Sequence, residues 1–239
     1  MHARIGAFLF RYRNALGPVL CLLALFFTHP SFPLGRDSLN LLLDAAGILV
    51  ALLGEALRIV TIGYEYIERG GRNRQVYASR LVQGGIFAQC RNPLYVGNIL
   101  LTLGLALIVH ATVLYLVVLP LVIYAYTAIV AAEEQFLRKT FGAEFDQYCR
   151  RVNRWIPKWH GWRASIAGMR FNWRRVMVKE YNTIFVASLA LVAVKLWSDY
   201  QVRGEAVLPS TRTLAVGLCL WLVAYVLVRA MKKSGYVKG

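Results

Sequence analysis

The chain is poor in the residues from which covalent staples and metal cages are built. Its four cysteines, Cys21, Cys90, Cys149 and Cys219, stand far apart with no C-x-x-C pair, which argues against a disulfide framework and against a zinc site. His29 and His160 carry no recognisable ligand spacing, and His110 is expected as an exposed loop residue. No internal repeat and no low-complexity tract interrupts the chain, and nowhere do apolar and polar residues alternate over the length that a membrane β-barrel requires. The basic start "RIGAFLFRYRN" precedes an apolar run without a small-x-small cleavage signal after it, so that run is expected to be retained as a helix.

Apolar residues make up what the chain does contain. They account for 58% of its 239 residues, well beyond a soluble globular domain. Several stretches approach the roughly 20 apolar residues that a helix needs to cross a bilayer. The expected fold is therefore all-α, a polytopic integral membrane protein with five or six membrane elements. These are about Leu16 to Phe27, Leu39 to Ile62, Leu94 to Val109, Thr112 to Ala131, Thr183 to Trp197 and Thr213 to Val228. The run from Leu94 to Ala131 is too long for one crossing at about 1.5 Å per residue, so it should fold back near "VHAT" as a helical hairpin.

Acidic residues are scarce, 12 against 28 basic ones, for a net charge of +16. With the N-terminus inside, most of the basic residues collect on one side: Arg4 to Arg13, Arg69 to Arg91, Arg138 to Lys179 and the C-terminus. Arg36, Arg203 and Arg212 fall on the other. Both termini are thus expected in the cytoplasm. The charge reports topology and contact with anionic lipid head groups, and calls for no nucleic acid.

Three regions follow: residues 1–54 with the first membrane helices, 55–157 as a core, and 158–239 with an interfacial segment and two further helices. Asp44, Glu55 and Arg58 fall inside the second membrane helix, where an ionisable group faces a partner or a cavity. Glu55 and Arg58, three apart, can form a structural pair or line a polar pocket. Lys195 is expected to snorkel. Gly97 and Gly104, seven apart, suit a close helix-packing surface. The segment from Lys158 to Tyr181 mixes Trp159, Trp162, Phe171 and Trp173 with Arg and Lys, as an interfacial helix would.

The core holds the chemistry-bearing residues. "RLVQGGIFAQCRNPLYVGN" breaks into loop and turn at its Gly pair before Pro93 opens the hairpin. Arg91 and Asn92 place donors at a helix N-terminus, beyond what a plain helix start needs. After the hairpin comes "EEQFLRKTFGAEFDQYCRRVNRWIP", where Phe136, Leu137, Phe141, Phe145, Tyr148 and Val152 fit a helix broken at Gly142 and ended by Pro157.

These two segments, in this order around a hairpin, resemble the isoprenylcysteine carboxyl methyltransferase family and its phospholipid methyltransferase relatives, integral membrane enzymes that use S-adenosylmethionine. The positions that match are Arg91, Asn92, Pro93, Tyr95 and Gly97, then Glu133 and Glu134, then Phe141, Gly142, Phe145, Tyr148, Arg150, Arg151 and Pro157. The resemblance implies a cytoplasmic-side pocket for S-adenosylmethionine and a lipid-like, prenylated or other hydrophobic substrate entering from the membrane. It assigns the cofactor to the backbone of Val82, Gly85, Ile86 and Phe87 and to Arg91, Asn92, Pro93, Tyr95 and Tyr148. Glu134 and Arg151, with Glu55, are the candidates for catalytic work. Asn92 stands where the carboxyl methyltransferases carry His, Asn153 where they often carry Pro, and Phe145 where they carry Tyr. An amide at position 92 can position a cofactor but cannot relay a proton. Two other functions compete: an NADPH-dependent membrane sterol or steroid reductase, and a non-catalytic protein with the same fold.

Overall fold

The computed structural model describes residues 5–12, 26, 28, 30, 37–67, 76–158, 160–205 and 209–234. The first expected membrane element, Leu16 to Phe27, lies almost wholly outside these residues. Among them the protein is helical, with no strand beyond one isolated bridge. The helices are α1 (Asp37–Tyr64), α2 (Pro93–Val109), α3 (Leu119–Phe141), α4 (Ala143–Arg151), α5 (Trp162–Ile166), α6 (Trp173–Lys179), α7 (Tyr181–Arg203) and α8 (Thr211–Lys233). α1, α3 with the turn before it, α7 and α8 are long and apolar enough to cross a membrane, and α2 is a shorter apolar helix. The all-α polytopic membrane fold expected from the sequence is the one observed.

The hairpin is present. His110 adopts φ 58°, a left-handed conformation that ends α2 and turns the chain. The chain then runs through a π turn at Leu114–Val118 into α3. Pro120, without an amide proton, cannot bond back into this turn, which accounts for its widening. The two arms meet where Tyr95 packs on Tyr126, ring centroids 5.0 Å apart. α3 continues well past the expected end at Ala131, so Glu133 and Glu134 lie within one unbroken helix. Gly142, at φ 50°, breaks it as expected. α4 ends earlier than expected, at Arg151, six residues before Pro157.

The chain divides into two compact units. The first comprises residues 1–28, 64–99 and 112–170; the second, residues 29–63, 100–111 and 171–239. In the first, Phe145, Tyr148 and Val152 form a buried cluster with Leu81, Leu137, Phe141 and Cys149 around them, the row that the helical spacing pointed to. The helical residues 5–12 pack on α3 through Gly6, which leaves no room for a side chain beside the Ala128 carbonyl.

In the second unit, α1 and α2 approach through glycine. A methyl group added at Gly104 would stand 2.7 Å from the Ala51 side chain, and one at Gly47 would stand 2.7 Å from the Gly104 carbonyl. The packing role expected for Gly104 is therefore real, and its partner is Gly47. Gly104→Ala should lower thermal stability in detergent by about 1–3 kcal/mol through overpacking. Gly217→Ala on α8, which meets nothing within 4 Å, should cost nothing in the same measurement. The carbonyl end of α1 is closed by α6 and its lead-in: the Asn172 amide donates to the Gly63 carbonyl at 2.9 Å and Arg175 donates to that of Ile62 at 3.3 Å.

Two expectations in this unit are corrected. His110 is not exposed; its side chain is only 2% accessible, with Nε2 3.2 Å from Asp44 Oδ1. Lys195 does not snorkel free. Its ammonium lies 3.2 Å from Asp44 and pairs with Asp199, while Asn40 donates to Asp44 at 3.1 Å. An isolated carboxylate on a membrane helix is costly, and three neighbours compensate this one. The aromatic and basic stretch after Pro157 forms two short helices, α5 and α6, with Gly168 at φ 76° between them in the chain.

Candidate functional site

The first motif turns through one glycine. The extended chain from Leu81 enters a 3-10 turn at Gly85–Ala88, and Gly85 takes φ 57°. Tertiary bonds then fix the turn. The Tyr148 hydroxyl donates to the Phe87 carbonyl at 2.7 Å, and the Gln89 carbonyl accepts from the Lys158 amide at 3.1 Å. Cys90 and Asn153 form a parallel bridge, with the Arg91 amide donating to the Asn153 carbonyl at 2.9 Å. The Asn92 side chain donates to the Arg154 carbonyl at 3.1 Å. The two motifs, some sixty residues apart in the chain, are one continuous piece of structure.

Arg91 explains why α4 stops short of Pro157. Its Nη1 donates to the carbonyls of Cys149 and Val152, each at 3.0 Å, groups that a helix C-terminus otherwise leaves unpaired. A cation there also complements the helix dipole. The other arm of the guanidinium donates to Glu134 Oε1 at 2.9 Å. Glu134, 6% exposed, accepts a second guanidinium as well. Arg154 Nε donates to Oε1 at 3.0 Å and Arg154 Nη2 to Oε2. Two cations to one carboxylate leave a local excess of positive charge, and Arg154 is 41% exposed. Next to it Glu133 accepts from the Tyr95 hydroxyl at 2.8 Å.

The structure thus brings Glu134, Arg91, Asn92, Pro93, Tyr95, Tyr148 and the Val82–Phe87 segment into one unit. Arg151 is close in sequence but turned outward, donating to Gln83 Oε1 at 3.0 Å, while Gln83 donates to Glu144 at 2.8 Å. Glu55 belongs to the second unit. It lies 4.0 Å from Arg58, whose Nη2 reaches both oxygens of the fully buried Glu180, at 2.9 and 3.3 Å, and Thr183.

Two buried polar atoms of the first unit have no hydrogen-bond partner among the described residues: Gln89 Oε1 and Arg91 Nε. An acceptor of this kind suits an ammonium, and a donor of this kind suits a carboxylate, the two charged ends of a zwitterionic amino-acid group. The donor set therefore fits the methionine portion of S-adenosylmethionine. Gln89 and Arg154 are candidate site residues that sequence reasoning missed. Arg154 lies past the end of α4, where helical spacing no longer applies, and the Cys90–Asn153 bridge with the Asn92–Arg154 hydrogen bond carries it to Glu134. Gln89 offered no signal of its own.

Burial governs the thiols and the phenol here. It pushes Cys90 up from 9.0 to about 11 and raises Cys149 and, further, Tyr148. Tyr148 therefore remains a donor to Phe87. Cys90, fully buried, should resist alkylation in the folded protein at pH 9 and react on unfolding, as read by mass spectrometry. Because its folded value is raised, stability from this group is intact below pH 9 and declines between pH 9 and 11.

Among the described residues no three His, Cys, Asp or Glu side chains converge as metal ligands. Residues 44–144 match the family model described as phospholipid methyltransferase, so the resemblance carried by the motifs is borne out over that stretch. The match spans the Arg-Asn-Pro start and the Glu133–Glu134 pair and ends within the second motif. The chain is 28% identical over 116 residues to the nickel-cobalt-cadmium resistance protein NccN of Alcaligenes xylosoxydans xylosoxydans, covering 48% of this chain and 52% of that protein. It is 35% identical over 78 residues to the cobalt-zinc-cadmium resistance protein CzcN of Cupriavidus metallidurans, covering 33% of this chain and 36% of that one. The chain thus spans about half the length of one relative and about a third of the other. No solved structure matches.

Proposed function

We propose, from the match of residues 44–144 to the family model described as phospholipid methyltransferase, that the protein transfers a methyl group from S-adenosylmethionine to a lipid, prenylated or other hydrophobic acceptor at the membrane. The observation that carries this reading is the Arg91–Glu134–Arg154 cluster, joined to a glycine-opened turn and flanked by two orphan polar atoms. S-adenosylmethionine, when bound, supplies a methyl group on a positively charged sulfur. Every other requirement falls to the chain. Gln89 would accept from the cofactor's ammonium, and Arg154 with Arg91 Nε would donate to its carboxylate. The Val82–Phe87 backbone, Pro93 and Tyr95 form the wall, Tyr148 holds Phe87 in place, and Arg151 steadies Gln83.

In-line displacement is served mainly by holding the reactants in line and excluding water, which supplies several kcal/mol of barrier lowering. Both oxygens of Glu134 are engaged by guanidinium groups and Asn92 cannot take a proton, so these residues orient the reactants and remove no proton. A carboxylate acceptor, already ionised, suits such a site. Glu55, paired with Arg58, is assigned no step. The crowding of basic residues around this unit favours its placement on the cytoplasmic side with both termini.

The test incubates purified protein with radiolabelled S-adenosylmethionine and total membrane lipids. Label in an organic-extractable fraction, lost in Arg154→Ala, is the expected result. Calorimetric binding of NADPH with none of S-adenosylmethionine would replace the methyltransferase by a reductase.

A further inference from the structure

An opening lies in the first unit, away from the cluster just described. The helical residues 5–12, the basic end of α3 and Val76 line an open cavity of about 620 Å³. Its wall is divided by chemistry. Phe8, Ala132 and Phe136 form an apolar floor, and Arg11, Gln135 and Lys139 form a polar rim with no carboxylate among the described lining residues. Neither cation has an ion-pair partner among the described residues; Arg11 lies over the Tyr12 ring at 5.7 Å. Ala132, Gln135, Phe136 and Lys139 recur along one side of α3. Glu134, two positions from Ala132 and from Phe136, is about 200° round the helix. The cavity is therefore separate from the Arg91–Glu134–Arg154 cluster.

We infer that this cavity is a binding site for an anionic phospholipid. Its phosphate is held by Arg11 and Lys139, and the start of its acyl chains lies on Phe8, Ala132 and Phe136. Three features select that ligand. Two cations that line one opening, with no ion-pair partner among the described residues, call for an anion. An apolar floor beneath them calls for an amphiphile and would be wasted on a free ion. The cations stand at the polar end of a 28-residue apolar helix, the depth at which a phosphate head group sits and at which basic pockets between membrane helices collect anionic lipids. The volume lies within the range of a small-molecule pocket, enough for a head group and the first methylenes. The site asks for no particular methyl acceptor and stands independently of the function proposed above.

The test is native mass spectrometry, with thermal unfolding, of detergent-purified full-length protein titrated with phosphatidylglycerol, phosphatidylcholine or glycerol 3-phosphate. The expected result is a retained phosphatidylglycerol adduct that weakens about thirtyfold in Arg11→Gln/Lys139→Gln, the loss of two basic side chains from an anionic surface. Lys139→Glu should weaken it further. Both positions are exposed, so these variants should fold, which their unfolding temperatures without lipid will report. Arg229→Gln/Lys233→Gln, the same charge change at the end of α8, should leave binding intact. Equal retention of phosphatidylcholine would overturn the proposal. So would equal stabilisation by glycerol 3-phosphate, unchanged binding in the Arg11/Lys139 variant, or an equal loss in the α8 control.

Discussion

Glu134→Ala is expected to reduce methyl transfer roughly a hundredfold or more and to cost the folded protein about 3–5 kcal/mol. The two effects share one cause. Glu134 is the common acceptor of Arg91 and Arg154, and without it two guanidinium groups face each other across a partly buried space. Arg91 also secures the carbonyls of Cys149 and Val152, so its displacement loosens the end of α4 and the bridge that carries Arg154. Glu134→Gln keeps one oxygen in place and should lose less on both counts. Arg91→Lys should resemble Glu134→Ala, because one ammonium cannot span three acceptors on two elements. Thermal unfolding in detergent and single-turnover methyl transfer from labelled S-adenosylmethionine measure the two effects separately. Wild-type turnover in Glu134→Ala would remove this cluster from the active site.

The second large effect lies in the other unit. Arg58 and Glu180 form a buried pair, 5% and 0% exposed, and removing either partner strands a charge at a cost of about 3–5 kcal/mol. Arg58→Ala should be the worse, since Arg58 lies against both Glu55 and Glu180. Replacing both members, as in Arg58→Met/Glu180→Leu, should recover much of the loss, because a well-packed apolar pair avoids the desolvation that an ion pair must offset. A double-mutant cycle on unfolding temperature tests this. A double variant as unstable as the sum of its singles would mean that the pair is held by its other contacts.

Much of the architecture is legible from chain length and apolar pattern alone. The apolar run after Pro93 exceeds one crossing, so a hairpin is forced, and it turns at His110. Gly142 is the only residue in its segment free to take the positive φ that breaks α3 from α4. What the pattern could not reveal are contacts made across long separations. The spacing of Arg150 and Arg151 drew attention to α4, whereas the arginine that meets Glu134 from that region is Arg154, beyond the helix. Glu180 is a lone acidic residue in a basic, aromatic stretch, a signal passed over because that stretch read as interfacial. His110 and Lys195 looked like tip and snorkel residues because their shared partner, Asp44, sits on a different helix.

The bonds of Arg91 also bear on how such a chain can change over generations. A guanidinium that closes the end of one helix, pairs with the carboxylate of a second and opens a third cannot be altered alone without harming all three. Positions 91, 134 and 154 should therefore drift as a set across homologous sequences, with losses at one accompanied by changes at the others. The residues around the 5–12 helix, which share none of these bonds, are free to vary on their own schedule.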